Sequence, residues 1–481
     1  MRSTLPTFDE VWQQQFRQRL IAQTQTLDQT SQDTTFVLAC SGGMDSMLLL
    51  YLFADLTSEQ LNHCRFKVIS IDHQLQADSA KWSNLVLQHC AKLAVPCKVI
   101  QVDVQEGNLE AEARKARYHA FENELQENDV LILGHHQQDQ AETLLMRLFQ
   151  GAGVRGLSAM QEWHMRLIQS LNSSDIKNYF IWRPLLSLSK KQIQQWTKQW
   201  SGQLGFDYVN DPMNFDDEFD RVWYRNQLLP LIEQRIPHAQ VSLSRTAILM
   251  QDANQILQEV LAQDFQYCVD DSGRLNICNL KTLSKPRQRQ LLSAWMQADK
   301  NYRPPLAMVE RLNGEVIDAR EDANSVLHWS NLYFMRYEYA IYRYTAQQWQ
   351  SIQQPIQPTE IKFSLHHVVK LAGQSFKINP VENGQDGLKL DLLNQTLMLN
   401  PRQGGEKIRL NGRKEHRLLK KMLQEAKIAP WFRHQIQILM YHNTPLGVFT
   451  PLGFWLADSE FVEPNGWLPI FEGEFSPDEY M

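Results

Sequence analysis

The chain has 481 residues, of which 43% are hydrophobic, so it is long enough for about three domains with packed cores. Its formal net charge of -6 gives no overall basic signature, and any nucleic-acid surface must therefore be local. Six cysteines without a Cys-x-x-Cys pair argue against a disulfide framework and a cysteine-ligated metal site. We find no signal segment and no bilayer-spanning apolar run, which predicts a cytoplasmic protein without a membrane partner.

Strand and helix patterns alternate in the first part of the chain. Strands are predicted at 34–40, 66–71, 98–102, 130–133 and 179–182, and helices at 8–21, 47–53, 79–93, 111–125 and 141–149. Because these strands are apolar throughout rather than alternating, they predict an α/β domain whose parallel sheet is covered on both faces. Ligands of such sheets bind at the carboxyl ends of the strands.

The pattern changes after about residue 211. Apolar spacing over 222–300 is mostly helical, while 325–344 is aromatic and β-prone and its type stays open. Short apolar runs at 360–365, 436–441 and 446–450 predict a small α+β or mostly β domain. The expected domains are 1–211 (α/β, parallel sheet), 212–345 (mainly helical), 346–358 (a linker rich in Gln with two prolines) and 359–481 (α+β).

A small-residue turn separates the first strand from the helix that follows it. It contains Ser41, Gly42, Gly43, Met44, Asp45 and Ser46. The glycines allow a close approach of the backbone to an anion, and the first amides of the helix point into the turn. A carboxylate beside a phosphate makes chemical sense if a divalent cation bridges the two, which makes Asp45 the candidate metal ligand. A purely conformational role of the turn is the alternative.

Polar side chains follow the strand that ends at residue 133. His135 and His136 come first, and Asp139 and Glu142 are three apart at the start of the next helix. On one helix face the two carboxylates could share a cation or hold an ammonium group. Alternatively, Asp139 is the N-cap and Glu142 its capping-box partner. His135 and His136 could be surface residues, or an imidazole of this pair could lie near a phosphate.

The helix predicted over 111–125 carries two arginines, Arg114 and Arg117, three residues apart and hence on one side. Such residues usually form a solvated face. The functional alternative is a guanidinium directed at phosphate, and Arg114 is the candidate.

The turn from Ser41 to Ser46 resembles the Ser-Gly-Gly-x-Asp-Ser loop of the N-type ATP pyrophosphatases, the PP-loop superfamily. These enzymes split ATP between the α- and β-phosphates and adenylate an oxygen of a second substrate. No Gly-x-x-x-x-Gly-Lys-Ser/Thr loop is present, so γ-phosphoryl transfer is the less natural interpretation.

Further blocks, in chain order, resemble those of the tRNA(Ile)-lysidine synthetase family. They are Asp72-His73-Gln74-Leu75, Glu112 to Tyr118, Gly134 to Thr143, Gly151-Ala152-Gly153, Arg183-Pro184-Leu185-Leu186 and, near the C-terminus, the region from Pro401 to Trp431. Two blocks depart from the family pattern. Gln76 stands where an arginine is usual, and Arg221-Val222-Trp223-Tyr224-Arg225 stands for Arg-Asn-x-Ile/Leu-Arg.

The resemblance implies a ligase with a Rossmann-like PP-loop domain, a helical middle domain and a C-terminal tRNA-binding domain. It implies that ATP and Mg²⁺ are used to adenylate the wobble cytidine of an isoleucine tRNA with a CAU anticodon, and that free L-lysine then replaces AMP to give lysidine. Ser41 to Ser46 and His135 would bind ATP, with Asp45, Arg114, Asp139 and Glu142 as catalytic residues. An assembly of two copies is left open.

Local charge agrees with a tRNA surface near the C-terminus. Residues 402–433 contain ten basic and three acidic side chains, a net charge of +7 in an acidic protein. A merely soluble surface is the alternative. Two other functions stay open as well, namely another PP-loop tRNA-modifying or amidating enzyme, and a non-catalytic RNA-binding protein. Pyrophosphate release that needs both lysine and tRNA separates them.

Overall fold

The computed structural model describes residues 10–26, 34–56, 64–74, 76, 78–107, 109–169, 176–212, 218–300, 302–320, 325–371 and 374–471. The chain divides into two compact units, Met1–Gln258 and Glu259–Met481. The first two residues of the helix predicted over 8–21 lie outside the described ranges.

The first unit is built around a six-stranded sheet. Its strands are β1 (Thr35–Ala39), β2 (Arg65–Asp72), β3 (Cys97–Gln101), β4 (Val130–Ile132), β5 (Trp163–Gln169) and β6 (Ile176–Trp182). The helices are α1 (Glu10–Thr26), α2 (Met44–Ala54), α3 (Ser79–Lys92), α4 (Leu109–Glu124), α5 (Gln137–Phe149), α6 (Val154–Leu157), α7 (Lys190–Leu204), α8 (Asp220–Trp223), α9 (Leu229–Arg235) and α10 (Ala239–Cys268), which continues past residue 258. A π-helical segment, Tyr224–Leu228, joins α8 to α9.

The strand order of this sheet is β3-β2-β1-β4-β6-β5. The five strands predicted from the sequence pair in parallel, which confirms the α/β prediction. The sheet is not parallel throughout, however, because β5 pairs antiparallel with β6 at one edge. The carboxyl ends of β1 and β4, which are neighbours, bring the turn after β1 and the residues after β4 to the same edge.

Alternate residues of the central strand enter two different cores, as the period of a strand requires. Phe36 and Leu38 of β1 pack with residues of α1, α2 and α7. Val37, between them, packs on the other face with Tyr118 and Phe121 of α4. Helices therefore cover both faces of the sheet, as the uninterrupted apolar strands predicted.

The second unit begins with short helices and a four-stranded sheet of order β7-β10-β9-β8. Its elements are β7 (Leu275–Asn276), α11 (Ile277–Thr282), α12 (Lys285–Gln297), α13 (Leu306–Arg311), a π-helical segment (Leu312–Ile317), β8 (Val326–Trp329), β9 (Leu332–Tyr337) and β10 (Ala340–Thr345). The region whose type was left open, 325–344, is thus a β-meander. The helical pattern over 222–300 is confirmed by α8 to α12.

Two five-stranded antiparallel sheets and a two-stranded ladder form the C-terminal part. The strands are β11 (Thr359–Ile361), β12 (Val368–Leu371), β13 (Gln374–Pro380), β14 (Asp386–Leu388), β15 (Leu397–Pro401), β16 (Lys407–Ile408), β17 (Arg417–Leu418), β18 (Gln437–Tyr441), β19 (Thr444–Thr450), β20 (Gly453–Leu456), β21 (Val462–Pro464) and β22 (Trp467–Phe471). Helix α15 (Leu419–Glu425) follows β17, and 3₁₀ turns occupy Leu390–Leu392 and Pro430–His434. The prediction of an α+β fold is confirmed.

The segment predicted as a linker, 346–358, is largely helical. Residues Ala346–Gln353 form α14, because the hydroxyl of Thr345 caps the helix by accepting from the amide of Gln348. Ile352 is buried, and Trp349 stacks on Tyr333 with ring centroids 5.8 Å apart. A Gln-rich composition suggested a linker, but the cap and two apolar residues on one face were enough to fix a helix. The domain boundaries themselves stay predictions.

Candidate active site

The turn between β1 and α2 has a backbone that only glycine adopts easily. Gly42 has a φ of +80°, and its carbonyl accepts a hydrogen bond of 2.9 Å from the amide of Val209. A Cβ atom at Gly42 would lie 3.4 Å from Cγ2 of Val86. The turn is therefore held against a distant part of the chain in a conformation that favours glycine.

Helix α2 starts directly behind this turn, with Gly43 as its N-cap. Its first amides have no partner within the helix and carry the positive end of the helix dipole. The hydroxyl of Ser46 donates to the carbonyl of Gly43 at 2.9 Å, and the hydroxyls of Ser41 and Ser46 are 3.4 Å apart. Amides and hydroxyls thus surround one small space suited to an anion.

A cavity of about 410 Å³ opens at the carboxyl edge of the sheet beside this turn. Four residues of the predicted loop line it, namely Ser41, Gly43, Asp45 and Ser46. Its other walls include residues that follow β2 and β4, among them Asp72, His73 and His135. Gly42 and Met44 are not in the lining, since Met44 packs against the core behind the loop. The predicted convergence of strand ends on one rim is therefore present in the structure.

Asp45 is ion-paired with a lysine that the sequence did not single out. The Nζ atom of Lys190, the first residue of α7, lies 3.0 and 2.8 Å from the two carboxylate oxygens. Gly134 passes close by, and a Cβ there would lie 3.4 Å from Cβ of Asp45. The carboxylate predicted as a metal ligand therefore already holds one cation, and the ammonium group adds positive charge at the edge of the loop.

Within the described residues no group of three or more His, Cys, Asp or Glu side chains is arranged to hold a metal ion. Asp45 alone among the loop residues offers carboxylate oxygens. Mg²⁺ commonly binds one or two carboxylates and completes its shell with substrate phosphates and water. The loop therefore fits a Mg²⁺ ion that arrives with a nucleotide rather than one bound by the protein alone.

The two histidines after β4 differ in their contacts. His135 lines the cavity and is half-buried, and desolvation lowers the pKa of its ring well below the usual value, so the ring is neutral. His136 is buried behind it, with Nε2 4.0 Å from Asp45 and Nδ1 3.4 Å from Asp139. Because these distances exceed those of a strong hydrogen bond, His136 lies between the two carboxylates without a strong hydrogen bond to either side chain.

Asp139 and Glu142 lie on one face of α5 and bind two arginines. Arg221 reaches Asp139 and Glu142, both at 2.9 Å. Arg225 binds the same two carboxylates, with 2.7 Å between its Nε and Glu142. We call these four side chains the carboxylate–arginine cluster. Glu142 is completely buried, so its charge depends on this pairing.

The helix start differs from the predicted capping box. His136 is the N-cap of α5, and the carboxylate of Asp139, at the third helical position, accepts from the His136 amide at 2.9 Å. Burial alone would raise the pKa of Asp139, but His136, Arg221 and that amide outweigh it and lower the pKa below its usual range. Asp139 therefore both caps the helix and belongs to the cluster.

Of the two arginines on α4, the structure brings Arg117 and not Arg114 to the cavity. Arg114 is exposed, and its guanidinium lies 5.0 Å from the ring centroid of Tyr118. Arg117 is one turn further along, and burial together with nearby Arg114 and Arg221 lowers its pKa. A contact of Arg114 with phosphate stays a prediction without a matching position at the cavity.

The two departures from the family pattern have clear structural roles. The amide of Gln76 donates to Asp211 at 2.9 Å, and both residues line the cavity. In the second block the terminal arginines, Arg221 and Arg225, are the cations of the cluster. Lys190 and this arginine pair are the site residues that sequence reasoning missed. The available signal was a pair of arginines four apart in one segment that matches a pair of carboxylates three apart in another.

The basic segment 402–433 presents several exposed cations. Within the described residues Lys407, Arg413, Lys414, Lys420 and Lys421 are exposed and have no acidic partner. By contrast, Arg409 pairs with Asp458 at 2.7 Å, and Arg417 pairs with Glu425. Five unpaired cations on one short segment are suited to contacts with phosphates.

Three family models match the chain. Residues 13–232 match the PP-loop domain, residues 275–344 match the TilS substrate binding domain, and residues 397–467 match the TilS substrate C-terminal domain.

Several proteins of known name are similar over most of the chain. A tRNA(Ile)-lysidine synthase of Acinetobacter baylyi is 46% identical over 472 residues, which cover 98% of this chain and 97% of that protein. The corresponding protein of Histophilus somni is 31% identical, with 87% of this chain and 95% of that protein covered. That of Actinobacillus pleuropneumoniae is 32% identical, with 85% and 94% covered.

Proposed function

Because this chain belongs to the tRNA(Ile)-lysidine synthase family, we propose that it is a ligase that joins free lysine to the wobble cytidine of an isoleucine tRNA with a CAU anticodon. The reaction consumes ATP and releases AMP and pyrophosphate. The observation that carries this proposal is the loop from Ser41 to Ser46, which borders a cavity of about 410 Å³ at the carboxyl edge of the sheet.

In this proposal ATP lies in the cavity with its pyrophosphate portion against the loop. The amides at the start of α2 and the hydroxyls of Ser41 and Ser46 donate to phosphate oxygens. Lys190 and Arg117 supply positive charge, while neutral His135, which follows β4 and lines the cavity, offers a ring nitrogen. Mg²⁺ on Asp45 would neutralise charge that develops on the leaving pyrophosphate.

The chemistry proceeds in two displacements. The ring carbonyl oxygen of cytidine attacks the α-phosphate, and pyrophosphate leaves with the electrons of the broken bond. The ε-amine of lysine then attacks the ring carbon, AMP departs with the activated oxygen, and the amine loses a proton. The base must be presented outside its stack, which costs less in an anticodon loop than in a duplex.

Asp139 and Glu142 are the proposed ligands of the lysine ammonium groups, or the groups that accept the proton of the attacking amine. Both carboxylates bind arginines in this structure, so the pair already binds positively charged groups, as a site for an ammonium group must. A lysine that binds there must displace Arg221 or Arg225 from a carboxylate. One cation then replaces another, so the carboxylates stay neutralised before and after the substrate binds.

The exposed cations of 402–433 are the proposed contacts to tRNA phosphates. A homodimer stays a prediction, and the cytoplasm is the expected location because tRNA and ATP are both present there. None of the helices in the described ranges is long and apolar enough to span a bilayer.

The decisive experiment tests Asp45→Ala with isoleucine tRNA transcript, ATP and labelled lysine. We expect lysidine formation to be abolished while tRNA affinity stays within about twofold, because Asp45 lines the cavity and the proposed tRNA contacts are the cations of 402–433. Asp271→Ala, at an exposed turn of the second unit, is the matched control. Unchanged lysine incorporation by the Asp45 variant would exclude the assignment, and pyrophosphate release without lysine or tRNA would favour another PP-loop enzyme.

A second experiment tests the basic segment with the double variant Lys420→Glu/Lys421→Glu. Loss of two phosphate contacts should weaken tRNA binding and reduce the slope of log K against log salt by about 1.4 to 1.8. Lys362→Glu/Lys370→Glu changes the net charge equally at exposed sites outside the segment. An unaltered slope in the first variant, or an equal effect in the second, would remove the segment from the tRNA contact surface.

A further inference from the structure

Helix α10 is fixed to the first unit by one face of its first half. The side-chain amide of Gln251 donates to the carbonyls of Ser158 and Met160, both at 2.9 Å. The hydroxyl of Ser158 donates in turn to the carbonyl of Met250 at 3.0 Å, and Ala247 is fully buried. This face is therefore a structural contact that needs no further partner.

The opposite face of the same stretch is apolar and open to solvent. Val241, Ile248, Leu249 and Ile256 are 41%, 55%, 56% and 60% exposed. Their spacing of seven or eight residues, with two adjacent members in the middle, places them on one stripe of the helix. A helix packed by one face normally turns charged and polar residues outward, so four exposed aliphatic side chains on one stripe indicate an interaction surface.

Two opposite charges interrupt this stripe at symmetrical positions. Arg245 and Asp252 fall on the same face, one turn inside Val241 and Ile256 respectively. Both side chains are exposed, and neither has an ion-pair partner in the described part of the chain. We call these two residues and the four aliphatic ones the α10 stripe.

The stripe is complementary to itself. When a second α10 is laid antiparallel across a twofold axis between positions 248 and 249, Ile248 of each copy meets Leu249 of the other. At the same register Arg245 lies opposite Asp252, and Val241 lies opposite Ile256. Every apolar residue of the stripe then faces an apolar one. The twofold axis also creates two ion pairs, each between Arg245 of one copy and Asp252 of the other.

We propose that the α10 stripe is a homodimer interface, in which two copies of this chain pair α10 with α10, antiparallel and isologous. Complementary charge selects a second copy over the other occupants. A tRNA backbone needs cations, yet the stripe has one cation and one anion. A membrane surface needs flanking basic residues, which the stripe does not contain.

The size of the surface sets the strength of the pairing. From Val241 to Ile256 the helix is about 22 Å long, so a single pair of helices buries less than a standard interface of about 1,600 Å². The dimer should therefore be weak, with a Kd on the order of 10 µM. No residue of α10 lines the cavity, so the pairing is independent of the proposed catalytic activity.

Charge reversal tests the register. Arg245→Asp and Asp252→Arg each place like charges opposite one another twice, so each variant should dimerise at least tenfold more weakly than the native chain. The combined variant Arg245→Asp/Asp252→Arg should restore the native Kd within about threefold. An equimolar mixture of the two single variants should form heterodimers, because each then meets its opposite charge.

Sedimentation equilibrium on the full-length chain, over about 1 to 200 µM, measures these constants. Arg17→Asp, at an exposed position of α1, is the control for charge and should keep the native Kd. Ile248→Glu, at the axis, should abolish dimers, with circular dichroism as the check that the exposed substitution leaves the fold intact. A native chain that stays monomeric throughout, single variants with the native Kd, or a combined variant that does not recover would each overturn the proposal.

Discussion

The phosphate-loop region and the carboxylate–arginine cluster lie on neighbouring strand ends of one sheet, yet they are constructed in opposite ways. The loop packs its donors into six consecutive residues, and the hydrogen bonds of its serine hydroxyls are local and partly buried. The cluster joins α5 to Arg221 and Arg225, which are distant in the sequence, and its contacts are buried.

This difference separates a site that is ready for a ligand from one that is closed. The loop offers helix amides and hydroxyls to an anion, and only two contacts must rearrange when phosphates enter, namely the ion pair of Asp45 with Lys190 and the hydrogen bond from Ser46 to Gly43. In the cluster every carboxylate already has a guanidinium partner, and a buried charge that loses its partner is costly. A single substitution in the loop should therefore weaken nucleotide binding without abolishing it. A single substitution in the cluster should disturb all of its ion pairs together and lower the stability of the fold.

The largest expected effect comes from Glu142→Gln, which removes the fully buried charge of the cluster. Arg221 and Arg225 keep their charges but lose their strongest acceptor, so the free energy of unfolding should fall by about 3 kcal/mol. Urea denaturation measures this loss. Glu315→Gln breaks a similar but exposed pair with Arg311 and should leave the midpoint unchanged. Equal midpoints for both variants would show that the cluster does not act as a unit.

An intermediate effect is expected from Lys190→Met, which tests the loop. A charge-assisted contact is worth about 1.5–3 kcal/mol, so the KM for ATP should rise about 10- to 100-fold while tRNA affinity is unchanged. Lys191→Met, at the next and exposed position, is the control. An ATP KM that does not change in the Lys190 variant would mean that this ammonium group serves Asp45 alone.

The smallest effect concerns His135, which lies between the two regions. Burial lowers its pKa, so the folded state keeps the ring neutral while the unfolded chain binds a proton below about pH 6.5. The unfolded state then binds more protons, so the free energy of unfolding decreases as the pH is lowered below about 6.5, by at most about 1.4 kcal/mol per pH unit. His135→Gln should make this decrease shallower.

Exposed His119 is the matched control for this measurement, since His119→Gln should leave the pH dependence unchanged. Asp139 acts in a different window. Its pKa is lowered in the folded state, so its contribution is present above about pH 4 and is lost only as the pH falls further. A slope that persists unchanged in the His135 variant would show that this ring is protonated in the folded protein.

What the sequence predicted correctly is mostly local. The loop is six consecutive residues, and the strands of the parallel sheet are continuous apolar runs, so both could be recognised without tertiary information. The edge strand β5 was missed because its residues largely alternate between apolar and polar, unlike the continuous apolar runs by which the other strands were recognised. The α14 helix was missed because its Gln-rich composition concealed the Thr345 cap.

What could not be predicted depends on contacts between distant residues. Lys190 reaches Asp45 only because α7 begins beside the loop, and nothing in its neighbourhood distinguishes it from Lys191. Arg117 rather than Arg114 faces the cavity because the rotation of α4 on the sheet decides which residue points inward. Residue type identified the chemistry in both cases, and the packing of helices selected the position.

The hydrogen bond from Val209 to Gly42 links the order of synthesis to the completion of the loop. A ribosome releases residues 41–46 long before it releases Val209, so the nascent chain can assemble β1 to β6 while the loop still lacks its final constraint. A fragment that stops after α7 should therefore retain the parallel sheet and yet fail to hold a triphosphate. The chain would then become able to bind nucleotide late in translation, when Val209, which follows α7, forms its hydrogen bond with Gly42.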